Sequence, residues 1–345
     1  MTENSSESLF RLLDESVIHW QSRKHGPRLA GVLVFDLRFV VRDPALAIVR
    51  ERAAVAIDRL RALVPDDTYR WWWTREDTGP KRMPKNLPSA ATVVAAAEFA
   101  NDAFNFLTLD SEDPERDAPR HLLKVRYNPF VRSGDHPLGS FQFSVPLPWI
   151  ETRPPGFMRD LFVELAALVQ PRFGTAGYFL AMPLKLGTGL GFAREAVYPF
   201  LRRFPGVDSG EASQIAFILS DARQPPEGGM PSVNWLTAAD DATLALCGGR
   251  EAVTARFPGP DFQIYQHAAG LVIQAGPQPQ LGDTEAGIAI PHYAQVAKVL
   301  RPARLVTVTG HINHSYGPGS RHSNEMLSRG QGEYLSRFDG MPTPF

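Results

Sequence analysis

His267, Asp283 and His292 lie within one short, glycine-rich stretch of the chain, and the single cysteine, Cys247, stands shortly before it. Two histidines and a carboxylate could do general acid–base work if the fold brought them to one pocket. That is the enzyme reading of this sequence. Cys247 would need a histidine partner and an electropositive setting to act as a nucleophile. Nothing adjacent supplies either, so Cys247 before Gly248-Gly249 reads as a small buried side chain at a helix end. His311 and His314 form an H-x-x-H pair, with His322 beyond it, a spacing that clasps a metal only when a carboxylate completes it. None follows until Glu325, so the segment reads as polar tail and no metal is expected. "GTGLG" at 187–191 lacks the G-x-G-x-x-G spacing of a dinucleotide loop, and no nucleotide cofactor is expected either.

The carboxylates that remain cluster in loops. "DSEDPERDAPR" holds Asp110, Glu112, Asp113, Glu115 and Asp117, and Asp240-Asp241 form a second pair. Such clusters are ordinarily solvated. In a chain of 345 residues with net charge −1, they are also the places where a basic partner could dock. The neutral balance argues against a dedicated nucleic-acid binder. One cysteine excludes an intrachain disulfide and a cysteine zinc cluster. The first twenty residues are polar and then amphipathic, without the pattern of a secretory signal. No apolar run approaches the ~20 residues of a membrane span. The expectation is a cytoplasmic protein with no membrane contact.

The elements that must position these residues follow from periodicity. "RLAGVLVFDLRFVV" alternates at Phe35, Leu37 and Phe39 and reads as a strand. Asp43-Pro44 is a helix start, and Leu46, Val49, Ala53, Ile57, Leu60 and Val64 form one stripe of the helix that follows. Trp71, Trp72 and Trp73 sit in a short strand, where side chains alternate, so either Trp72 or the Trp71/Trp73 pair lies off the main core face. "HLLKVRYNPF" and "GSFQFSVPLPWI" read as a hairpin, "GFMRDLFVELAALV" as a helix and "AGYFLAMPL" as a strand. "AREAVYPFLRRF" reads as a helix that Pro199 kinks or cuts. "QIAFILS" reads as a strand, "FQIYQHAAGLVIQAG" as a hairpin, "PHYAQVAKVLRPA" as a helix and "RLVTVTGHI" as a last strand. Thr237 is a candidate cap for a helix carrying Leu244 and Leu246, and Trp235 is expected to be buried.

The fold class is therefore α+β, with antiparallel or mixed sheets flanked by helices. Residues 1–25 form a polar, amphipathic segment, 26–310 the main domain and 311–345 a flexible tail. A strand followed by a Pro-started helix occurs near 31–64 and again near 140–169, which suggests two similar halves, 26–135 and 136–310.

Several short patterns together resemble a known family. They are "AVYPFLRRFPGVDSGE" with Tyr198, Pro199, Pro205, Gly206 and Asp208, "VNWLT" with a Gly248-Gly249 break, the stretch Gly270 to Asp283, and a helix with Pro291, Tyr293, Val296, Leu300 and Pro302. This combination, with "GVLVFDLRFVVRDP" and "YNPF", is similar to the TsiV class of type VI secretion immunity proteins, over roughly residues 25–310 and not the tail. The resemblance implies a non-enzyme with no catalytic residues. It would bind a cognate type VI secretion nuclease effector, of the VRR-NUC or a related PD-(D/E)xK type, in the cytoplasm. The surface expected to meet that toxin is acidic, with Glu112, Asp113 and Glu115 first and Asp240 and Asp241 second. The enzyme reading and a role as effector-loading chaperone stand as alternatives, and the oligomeric state is left open.

Overall fold

The structure is a computed structural model, described for residues 18–22, 26–43, 46–74, 80–96, 107–114, 117–127, 137–183, 190–210, 212–220, 227–305, 330 and 332–344. In chain order the elements are β1 (Ile18–Ser22), β2 (Gly26–Arg42), α1 (Ala47–Arg61), β3 (Trp71–Trp73), β4 (Lys81–Arg82), α2 (Ala90–Ala96), β5 (Leu107–Asp110), β6 (Leu122–Tyr127) and β7 (Leu138–Pro146). Then come α3 (Leu147–Glu151), α4 (Phe157–Val169), β8 (Phe173–Ala181), α5 (Leu190–Arg203), α6 (Ala212–Leu219) and β9 (Leu236–Asp240). The last are α7 (Asp241–Ala245), α8 (Gly249–Thr254), β10 (Phe262–His267), β11 (Gly270–Ala275) and α9 (Pro291–Val299).

One antiparallel sheet carries the architecture, in the order β10-β11-β9-β8-β2-β7-β6-β5-β3-β4, with β1 paired to the start of β2. The α+β expectation holds. β2, 17 residues long, lies at the centre, and its hydrogen-bonding partners β7 and β8 both follow residue 135. Its odd-numbered residues Phe35, Leu37 and Phe39 face a helical layer of α1 and α4, where Phe39 stacks on Phe162 at 4.7 Å. Its even-numbered face lies under α6, which packs on β7, β2 and β6. With both faces covered, the polar half of the alternation is buried as well.

Several local expectations are met. β6 and β7 pair as a hairpin, as do β10 and β11. Trp235 is buried, with its indole N–H donating to the Gly276 carbonyl at 3.0 Å. Trp72 packs against the main core cluster; Trp73 is buried outside that cluster, and Trp71 is half-buried beneath Arg82.

Others are corrected. "QIAFILS" is helical and belongs to α6, because Ile215, Ala216, Ile218 and Leu219 share a buried face at helical spacing. A short apolar run cannot separate the two periods. α5 runs through Pro199 uncut, since burial of Val197, Leu201 and Phe204 outweighs the ~3 kcal/mol a mid-helix proline costs. α1 starts at Ala47 after Leu46, with no side-chain cap. Asp43 sits in the left-handed region (φ 45°) and turns the chain off the sheet, so the apolar stripe is buried only from Ala53 onward and Leu46 is exposed. Thr237 lies in β9, and the cap of α7 is Asp240, whose carboxylate accepts from the Thr243 amide at 2.8 Å. Beyond Leu305 the expected last strand lies outside the described residues, as do Glu115 and the three tail histidines.

The described end of the chain is not loose. Tyr334 and Phe338 are buried, Phe338 against the Tyr293 ring at 6.1 Å, and Arg304 pairs with Asp339 at 2.8 Å.

Candidate functional site: a buried polar stripe

The register aligns Thr108, Lys124, Gln142, Arg38, Thr175 and Thr237 in a single row across β5, β6, β7, β2, β8 and β9. All six are buried. The neighbouring row holds Asp110, Ser144 and Asp36, buried too, and ends at Gly177. A polar stripe inside a protein must be satisfied by its own members or it costs several kcal/mol.

The centre of the stripe is a charge network. Arg38 Nε lies 3.1 Å from Asp36, its NH1 donates to the Gly210 carbonyl at 2.8 Å, and its NH2 donates to Thr175 Oγ1 at 3.1 Å and to the Asp208 carboxylate. Asp36 also accepts from Ser144 Oγ at 2.5 Å and from Gln142 Nε2 at 3.3 Å. Asp208 accepts from Ser232 Oγ at 2.8 Å, the Ser209 amide at 2.9 Å and the Tyr334 hydroxyl, with Arg337 NH2 3.7 Å away. Arg337 in turn donates to Ser232 Oγ at 2.6 Å and to the Pro205 carbonyl at 3.1 Å.

Two carboxylates and two guanidiniums thus balance. Burial lifts the Asp36 carboxyl to about 7, against the pull of Arg38, Ser144 and Gln142. Burial would lift Asp208 as well, but Arg38, Arg337 and its hydrogen bonds hold it below the usual carboxylate range. This network joins β2, β7, β8, the turn after α5, the segment before β9 and the C-terminal segment. Two cavities of about 10 Å³ each flank β2, one beside the network, walled by Arg38, Thr175, Ile215 and Ser232, the other in the apolar layer on the opposite face, walled by Leu37, Phe39, Leu60 and Phe143. Each has room for one water and none for a substrate.

The sequence motifs converge on the same region. Asp208 bridges β8, its amide donating to the Tyr178 carbonyl at 2.9 Å. Gly206 lies so close to the Gln280 carbonyl that a Cβ would sit 2.0 Å from it, and its amide donates to the Leu281 carbonyl at 2.8 Å. Arg203 clasps Asp283 with Nε at 3.1 Å and NH2 at 2.9 Å. Tyr293 accepts from the Gln280 amide at 3.1 Å. Asn234 occupies the space above Gly177, where a Cβ would meet its Oδ1 at 2.1 Å. The patterns quoted from the sequence are pieces that dock on one another.

A model of the family described as TsiV, "Type VI immunity for VRR-NUC", matches residues 54–338. The chain belongs to the TsiV family. The TsiV match extends past His311 to residue 338, so the segment that the sequence comparison left uncovered is part of the family domain. Among solved structures, the chain is similar to "Pseudomonas aeruginosa T6SS protein PA0821", with TM-score 0.76 and 21% identity, covering 98% of this chain and 91% of that one. No curated protein matches the chain.

The enzyme set is not assembled. His267 and Phe262 stand at opposite ends of β10, about 17 Å apart at ~3.4 Å per residue. His292 packs on Phe262 at 5.4 Å, and Asp283 is committed to Arg203, whose hydrogen bonds lower its titration. Cys247 is buried, and burial pushes its thiol up. Among the described residues no group of His, Cys, Asp or Glu could hold a metal. No helix among them is long and apolar enough to cross a membrane.

The acidic residues lie at two ends of the sheet. Asp110 is buried, and burial holds its carboxyl well above the usual range. Asp117 accepts from the Leu29 amide at 2.9 Å. Glu112 and Asp113 are half-buried, and burial raises Glu112 although Arg120 and Arg70 lie nearby. Five strand positions away, about 24 Å at ~4.8 Å per strand, Asp240 is buried and bound to Arg42 at 2.8 Å. Its neighbour Asp241 is exposed and held by Arg250. The two clusters therefore form no single patch. Sequence reasoning missed Asp36 and Arg38; the signal was the Asp-x-Arg inside "VFDLRFVV", which alternation alone assigns to solvent.

Proposed function

We propose that the chain is an antidote and not an enzyme. It binds a cognate VRR-NUC-type nuclease effector in the cytoplasm and silences it, by covering the active-site groove or holding the nuclease in an inactive shape. The observation that carries this is the TsiV family match over residues 54–338. The geometry supports it, because Asp36, Arg38, Asp208 and Arg337 are held in one charge network and His267 and His292 lie at opposite ends of β10. Glu112, Asp113, Glu115 and Asp241 supply carboxylates toward a cationic nuclease surface, and Asp240 fixes the turn that presents Asp241. A stable complex buries roughly 1,600 Å² or more, with aromatic and arginine anchors at its centre.

Co-expression of the VRR-NUC effector with this chain in a bacterial host is the test. Growth should be restored, and the two proteins should co-purify. Cell death despite soluble immunity protein overturns the reading, and secretion lost without any rescue would mark an effector-loading chaperone instead. His267→Ala and His292→Ala should protect as well as the parent; a folded variant that fails to protect would revive the enzyme reading.

A further inference from the structure

The two ends of the main strand order differ. β4 is two residues long, Lys81–Arg82, and both are exposed. A very short cationic strand keeps an edge from recruiting another strand. β10, at the opposite edge, is six residues, FQIYQH, with no Lys, Arg, Asp, Glu or Pro and no shift in register against β11. It carries none of those safeguards.

The register tells which of its backbone groups face outward. The Gly276 amide donates to the Asp261 carbonyl at 2.8 Å, and the Ala275 amide donates away from β10, to the Trp235 carbonyl, at 2.8 Å. Bonded pairs alternate along an antiparallel ladder, so the odd-numbered residues of β10 bond β11 and the even-numbered ones point off the sheet. Ile264 and Gln266 each present an N–H and a C=O there, and among the described residues no hydrogen bond reaches them. Gln266 is exposed and Ile264 half-buried.

We infer that β10 is a docking strand: an extended, Lys- or Arg-bearing segment of the nuclease adds to its free edge and continues the sheet. The inference rests on the proposed nuclease binding. Charge selects the occupant. Three exposed carboxylates flank β10. Asp160 on α4, near Tyr265, is paired with Arg159, and Asp241, near the hairpin tip, with Arg250, so the unbalanced negative charge is Asp261 at the start of the strand. β10 itself carries no cation. A nuclease that grips a phosphate backbone is cationic there. Main-chain pairing supplies affinity, and the unbalanced Asp261 favours a basic strand.

Hydrogen exchange at single-residue resolution on the full chain, alone and with the VRR-NUC effector, is the test. In the free protein the Ile264 and Gln266 amides should exchange much faster than those of Gln263 and Tyr265, and the complex should slow them at least tenfold. Ile264→Pro removes one outward N–H at a site where an edge strand tolerates proline. It should weaken Kd at least tenfold with the fold retained, while Ile264→Val binds like the parent. If Ile264→Pro does not fold, exchange on the parent decides alone. A complex that leaves both amides fast sinks the docking strand and spares the antidote reading. Amides already slow in a free chain that sediments as a dimer show a second copy on the edge and overturn the proposal. No complex with the effector overturns both.

Discussion

Asp208 is the residue on which most of the buried network turns. It accepts from Arg38, Tyr334, Ser232 and its own chain neighbour, and Arg337 stands 3.7 Å away. Asp208→Asn keeps the shape and removes one charge, leaving two guanidiniums against Asp36 alone. Breaking a buried pair costs about 3–5 kcal/mol, so urea unfolding should show a loss of that size. A loss below ~1 kcal/mol, as for a surface pair, would mean that the network is wet. Asp36 has the opposite pH sign. Its folded carboxyl titrates at about 7 against an ordinary 3.8, so between those values the folded state holds the extra proton. Stability from Asp36 is therefore fully present below pH 3.8 and falls as pH rises through 7. Asp208, held low, adds stability above the ordinary carboxylate range that is lost on acidification. Together they place the optimum between the two, and Asp36→Asn should flatten the decline toward neutral pH. An Asp36→Asn profile parallel to the parent's would rule out this titration.

At the scale of elements, the C-terminal segment is the one that closes the polar face. Tyr334 reaches Asp208, Arg337 reaches Ser232, and Phe338 packs on Tyr293. A chain ending at residue 329 loses all three. Removing one large buried aromatic costs about 3–5 kcal/mol, so losing Tyr334 and Phe338 together amounts to roughly 10 °C in Tm for a chain of this size. Calorimetry should show that drop or the truncated chain should fail to stay soluble. A chain ending after Gly340 keeps these contacts and the Arg304–Asp339 pair, and should melt like the parent. Equal melting of both truncations would contradict the closure.

At the scale of the molecule, the acidic loop and the β10 edge lie at opposite ends of one sheet, so their contributions to binding can be separated. Replacing Glu112, Asp113 and Glu115 together with Ser should slow association with the effector, more at low salt than at high, because exposed charges are screened beyond about 10 Å at 0.1 M. Surface plasmon resonance at two ionic strengths reads this directly. An association rate unchanged at both salts would remove that loop from the interface and leave the β10 end.

Periodicity, turn residues and short motifs are local properties of the chain, and the class of the fold, most strands and helices, the burial of Trp235 and Cys247, and the family were legible from them. The sequence did not determine that "QIAFILS" would be a helix, because a short apolar run fits either period until something packs against it. Nor could it show that Asp36 and Arg38 are buried. Alternation marks two faces of a strand, and the polar one is dry because α6 and the residues around Tyr334 pack over it. The same holds for Asp208, Asp283 and Gly206, where sequence offered turn residues and the fold made each a contact between segments distant in the chain. Side-chain type and spacing are written locally. Burial and partnership are set by which surfaces meet, and one such meeting, Arg38 with Asp208, spans 170 residues.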